Sequence, residues 1–95
     1  MVVRMAMIPV WLKIDEERVV QALQEAGEKL DSIDGEVVLD FSAVRRINPS
    51  ALRGMEEFVG IADDKGVKVA LRGVNVGVYK VLKLVKLASR FSFVN

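Results

Sequence analysis

The side chains that could do chemistry fall in three short stretches. Asp40 stands alone; Arg45-Arg46 is followed by Asn48-Pro49-Ser50 and Arg53; Lys80, Lys83 and Lys86 come later. Asp40 ends an apolar run, the place where α/β sheets gather their ligand sites. A carboxylate there also orders the next turn by accepting hydrogen bonds from backbone N–H groups, and we read it in that structural role. Asn48-Pro49 has the form of a helix cap followed by the residue best suited to the first helical position. Ser50 then falls in the first turn, where a phosphate would meet free N–H groups and the positive end of the helix dipole. It is the candidate phosphoacceptor. The three lysines are spaced to share one helix face. That face is either a solvated surface near a helix C-terminus or a contact for an acidic protein or an anionic membrane.

The sequence has no histidine and no cysteine. Ser-His-Asp triads, His-Glu-x-x-His zinc sites, imidazole acid–base steps, thiolate ligands and disulfides are thereby excluded within the chain. Gly66, Gly73 and Gly77 form neither Gly-x-Gly-x-x-Gly nor a phosphate loop ending in Lys-Ser/Thr. We therefore expect no catalytic residue, no metal ligand and no cofactor. Nucleic acid is not expected either, because no nucleic-acid motif is present and Trp11 and Tyr79 are far apart in sequence.

The elements that must position these residues are those of one domain, residues 1–95. With 52% hydrophobic and 28% charged residues the chain is globular rather than disordered. Net charge is +1, but residues 67–95 hold six basic side chains and no acidic one. The basic C-terminal third implies one positive face. The longest apolar run, Met5 to Leu12, is shorter than the roughly 20 residues of a spanning helix. Arg4 before that run imitates a signal peptide, but no small-residue cleavage site follows. A cytoplasmic location is expected.

Val2–Ile14 reads as strand, with Pro9 at an edge or a break. Asp15–Leu30 reads as a helix capped by Asp15, with Glu16 and Glu17 in its first turn. Val19, Leu23, Ala26 and Leu30 form its buried stripe. After the Asp34-Gly35 turn, Glu36–Phe41 reads as a strand buried on both faces. Ser42–Ile47 is a connection anchored by Val44 and Ile47. A second helix runs from Asn48-Pro49 to about Asp64, burying Ala51, Met55, Phe58 and Ala62, with Gly66 as its left-handed cap. Val67–Leu71 is a third strand. Asn75 caps a third helix to about Leu87, whose apolar face is Val78, Val81, Leu82 and Val85, and Phe91–Val94 is a last strand. Strands alternating with helices predict an α/β fold with a largely parallel, four- to five-stranded sheet covered by helices.

Val37 to Phe91 resembles a STAS domain, the module shared by sulphate transporters and anti-sigma factor antagonists. The family's central pattern is an apolar strand ending in Asp, a short connection, and Asp-Ser-Ser/Thr-Gly-Leu at a helix start. Here it reads Val37-Val38-Leu39-Asp40-Phe41-Ser42-Ala43-Val44, then Ile47-Asn48-Pro49-Ser50-Ala51-Leu52. The turn and strand Lys65–Leu71, the Leu-rich segment Val81–Leu87 and Phe91 follow in the family's order. The resemblance implies a non-enzymatic regulator that docks on an ATP-binding partner through the start of the second helix. The implied partner-binding residues are Asn48, Pro49, Ser50, Arg53, Arg45 and Arg46. One departure matters: Pro49 stands where the family's phosphorylated Ser or Thr is found, and it has no hydroxyl. The motif's Asp is Asn48 and its Gly is Ala51; Ser50 keeps the second hydroxyl. A narrower resemblance joins Val44, Arg46-Ile47, Leu71–Asn75, Val78-Tyr79 and Lys83-Leu84 to the cytoplasmic STAS subunit of phospholipid-trafficking ABC transporters. It implies an ABC ATPase as partner instead of an anti-sigma factor kinase.

Overall fold

Strands and helices alternate along the chain, as the periodicity predicts. The structure is a computed structural model and describes residues 10–94. Strand β1 (Val10–Lys13) leads through a 3-10 turn (Glu16–Arg18) into helix α1 (Val19–Lys29). Then come β2 (Glu36–Asp40), α2 (Pro49–Asp64), β3 (Lys68–Arg72), α3 (Val76–Leu84) and β4 (Ser92–Val94). The sheet order is β1-β2-β3-β4, and each neighbouring pair is parallel. The expected break at Pro9 and the strand before it lie outside the described residues.

Register decides which side chains share a face. Val37 aligns with Val69 and Leu39 with Leu71. These four join one buried cluster with Leu23 and Ala26 of α1, Met55 and Phe58 of α2, and Val78 and Leu82 of α3. Successive strand residues point to opposite faces, so all three helices pack on one side of the sheet. Val38 and Ala70 point to the other side, in line with Trp11. Helices α2 and α3 start at side-chain caps, whereas α1, expected to begin at Asp15, begins at Val19 with no side-chain cap. Asn48 accepts from the Ala51 N–H at 2.7 Å, and Asn75 from the Val78 N–H at 2.7 Å. Asp15 caps the 3-10 turn before α1, accepting from the Glu17 N–H at 3.3 Å.

The end of the third helix corrects the sequence reading. It stops at Leu84, not near Leu87, because Lys86 turns into the left-handed region at φ 63°. The Leu87 N–H then donates to the Leu82 carbonyl at 2.8 Å, and the Lys86 N–H to Lys83 at 3.1 Å. Helix α2 ends the same way around Gly66, at φ 70°. There Val67 donates to Ala62 at 2.8 Å and Gly66 to Asp63 at 3.1 Å. In both motifs the residue after the left-handed one, Val67 or Leu87, is drawn into the core. Val85, expected on the buried face, is consequently 47% exposed. Lys86 leaves the helical face that Lys80 and Lys83 occupy.

Lysine at this position carries a Cβ that glycine lacks, and the left-handed conformation costs such a residue roughly 1 kcal/mol or more. Lys86→Gly should therefore raise stability in urea titration by about 0.5 to 1 kcal/mol, the unfolded-state freedom of glycine offsetting part of the gain. Gly66→Ala should lower it by about 1 kcal/mol. A neutral or destabilising Lys86→Gly would show that Lys86 is not strained.

Candidate functional site

The six residues singled out for partner binding occupy the junction between β2 and α2, at the carboxyl end of the sheet. Arg45, Arg46, Asn48, Pro49, Ser50 and Arg53 are all exposed. Residues 41–55 carry three arginines and no acidic side chain, but Glu16 and Glu17 flank Arg46 and Asn48, and Glu56 and Glu57 flank Ser50 and Arg53. Asn48 has extended backbone at φ −97° and ψ 171°, the geometry that a cap before proline requires. Ser50 keeps its hydroxyl at the surface, where it accepts from an Arg53 guanidinium nitrogen at 3.4 Å.

The connection from β2 to α2 is held in place by side chains from distant parts of the chain. Phe41 donates its N–H to the Arg72 carbonyl at 2.8 Å, and Val44 donates to the Phe41 carbonyl at 2.9 Å. Val44 is buried beneath the loop and Ile47 packs against the core. Glu16 Oε1 accepts the N–H groups of both Arg45, at 2.7 Å, and Arg46, at 3.0 Å. From the other flank the Asn75 side-chain amide donates to the Arg45 carbonyl at 3.0 Å. Asn75 thus caps α3 with its oxygen and braces the loop with its nitrogen. Gly73, at φ 72°, makes this close approach possible: a Cβ there would lie 2.9 Å from the Ser42 Cβ.

Asp40 is a turn residue, as the structural reading expects. Its Oδ1 accepts from the Ser42 N–H at 2.9 Å and lies 3.4 Å from the Arg72 guanidinium. The Ser42 hydroxyl and N–H hold the carboxyl below the usual carboxylate range; burial opposes them, and the Arg72 charge adds a smaller lowering effect. Arg72 in turn lies 5.7 Å from the Trp11 ring centre, on the sheet face away from the helices.

Two features of the site are not legible in the sequence. Glu16 reads there as a first-turn acid, but it acts as a clamp on backbone 29 and 30 residues further along. The second is a groove of about 790 Å³ between α1 and α2 that opens beside Ser50 and Arg53. Val20, Leu23, Phe58 and Ile61 line it. Gly54 lets the helices close in, since a Cβ there would meet Leu23 Cδ1 at 3.3 Å.

The chemistry open to this junction is recognition. Its cations can meet acidic groups on another surface, and its exposed serine can carry a phosphate. Among the described residues no group of three or more His, Asp or Glu could hold a metal ion, and no helix is long and apolar enough to cross a membrane.

Comparison with known proteins agrees with this geometry. A family model for the STAS domain matches residues 10–95. The crystal structure of a Thermotoga maritima protein, TM1081, described as a candidate anti-sigma factor antagonist, is similar in fold. Its TM-score is 0.71 at 19% identity, over 93% of this chain and 75% of that one. The solution structure of TM1081 gives a TM-score of 0.73 at 19% identity, over 90% and 72% of the two chains. No curated protein matches the sequence significantly.

Ionised Asp40 stabilises the fold, because its folded-state pKa lies below the unfolded one. That stability is present above the ordinary carboxylate pKa of about 3.9 and is lost as pH falls through the lowered value. Asp40→Asn should lower the urea midpoint at neutral pH and flatten its decline below about pH 4. An unchanged acid limb would show that Asp40 does not contribute.

Proposed function

We propose, from the premise that the chain belongs to the STAS domain family, that it is a non-catalytic regulatory module. It works in the manner of anti-sigma factor antagonists, docking on an ATP-binding protein in the cytoplasm. The observation that carries this reading is the braced junction between β2 and α2 with its exposed arginines. Glu16 and Asn75 fix the backbone around Arg45 before any partner arrives. Binding then costs little loop ordering, which is a main cost of association. Arg45, Arg46 and Arg53 stand exposed on that fixed frame. Exposed charges steer encounter with an acidic surface and select against basic ones.

Docking is unswitched at the family's usual atom. Pro49 offers no oxygen to a kinase and locks its own backbone. Control acts elsewhere, or the module is constitutively active.

The first test is binding. The chain would be titrated calorimetrically against purified ATP-binding proteins encoded beside its gene, an anti-sigma factor kinase or an ABC ATPase. Reversing Arg45, Arg46 and Arg53 to Glu should weaken the interaction at least about tenfold, roughly 1.4 kcal/mol. Undiminished affinity of the reversed chain would refute docking through this junction. Binding of the ABC ATPase alone would assign the chain to a lipid-transport complex instead.

A second test concerns phosphate. Incubated with an anti-sigma factor kinase and ATP, the parent chain should remain unmodified. The Asn48→Asp, Pro49→Ser double variant should become a substrate, as read by mass spectrometry. High occupancy on Ser50 of the parent would overturn the unswitched reading and make Ser50 the regulatory residue.

A further inference from the structure

A second surface lies on the flank formed by α3 and β4, away from the junction described above. Val76, Tyr79, Phe93 and Val94 are exposed there, Val76 at 70%. Tyr79 and Phe93 meet edge to face, with ring centres 5.1 Å apart and planes at 80°. Two hollows flank this aromatic pair. One is bounded by Val74, Val76 and Val94, the other by Lys83, Lys86 and Ala88. Among the described residues β4 is the outermost strand, and only β3 pairs with it. Its outer edge therefore presents unpaired backbone donors and acceptors.

We propose that this flank docks an acidic, extended polypeptide segment carrying one aromatic or aliphatic anchor. Three features choose that occupant. The charge is of one sign: no acidic side chain lines either hollow, and Lys83 and Lys86 line one of them. The open edge of β4 calls for backbone partners, which an added strand supplies and a lipid surface does not. A symmetric pairing of two copies through this flank would bring like charges together. Lys86 adds a fourth feature. It occupies a left-handed position that Gly66 fills in the matching motif of α2, and strain of this kind is often retained where a side chain has work to do. Lys86 and Lys83 both line the hollow that Tyr79 and Phe93 bound. The inference does not depend on the docking function of the α2 junction.

The test uses the full isotope-labelled chain and a short synthetic peptide of Asp and Glu with one central Phe. Backbone amide shifts should be confined to Val76–Lys83, Lys86 and Ser92–Val94, and affinity should fall as salt is raised. Replacing the peptide's Phe by Ser, or Lys83 and Lys86 of the chain by Glu, should each weaken binding about tenfold. Lys86→Gly provides a variant expected to fold well: its melting temperature should rise while peptide affinity drops. Several results would overturn the proposal: no shifts at millimolar peptide, shifts at Arg45–Arg53 instead, or equal affinity of the charge-reversed chain. Phosphatidylglycerol vesicles or single-stranded DNA perturbing the same amides at lower concentration would also overturn it, as would broadening of those amides with protein concentration alone.

Discussion

Parallel pairing of neighbouring strands in sequence order is the constraint on which this molecule depends. Parallel neighbours need a crossover, and crossovers are right-handed. A sheet that always steps in one direction therefore carries all its helices on one face. The observed core obeys this: Val37, Leu39, Val69 and Leu71 meet all three helices, while Val38 and Ala70 do not join that cluster. The same constraint brings the chain segments after β1, β2 and β3 together at one end. Lys13 aligns with Asp40, and Asp40 with Arg72. The Ile14 N–H donates to the Asp40 carbonyl at 2.9 Å and the Phe41 N–H to Arg72, so the register continues past the strands. From there Glu16 and Asn75 are within reach of the β2–α2 connection from opposite sides.

This explains how an exposed loop can be fixed without being buried. Two backbone N–H groups share one carboxylate at Glu16, and one carbonyl meets the Asn75 amide. Hydrogen bonds to a charged group are worth about 1.5 to 3 kcal/mol each, more than most exposed ion pairs provide. The arginine side chains above them remain available because the bonds are made by backbone. At the opposite end, cohesion comes from exposed ion pairs. Asp63 accepts from Arg90 at 2.5 Å, and Asp31 pairs with Lys65. Pairs of that exposure contribute about 0 to 1 kcal/mol and are screened by salt.

What could be read in advance follows the range of the interaction. Asn48-Pro49, Asn75 and Gly66 are local signals; each fixes a helix end through bonds within a few residues, and each lies where the sequence puts it. The buried stripes of α1 and α2 are likewise set by local periodicity. The end of α3 carries no local marker, because Lys86 fills a position whose usual residue is glycine. Only the burial of Leu87, a tertiary effect, shows why the chain must turn there. The Glu16 clamp was illegible for a related reason. Its partners are separated by about half the first sixty residues, and they become neighbours only through the β1–β2 register. Ser50 and Arg53 are exposed because they lie off the buried stripe of α2, and Arg45, Arg46 and Asn48 because they lie in the connection before it.

Helices α2 and α3 close with the same pair of backbone bonds, yet one uses Gly66 and the other Lys86. Geometry alone favours glycine at both. At Gly66 the turn is pure backbone, and nothing lies within 4 Å of the Cβ position. At Lys86 the chain accepts a costlier conformation, and the residue lines the same hollow as the exposed Tyr79–Phe93 pair. A fold assembled from local signals tolerates such an exception where tertiary burial, here of Leu82 and Leu87, over-determines the backbone. The exception therefore carries information that the regular elements do not, because stability by itself gives no reason to keep it.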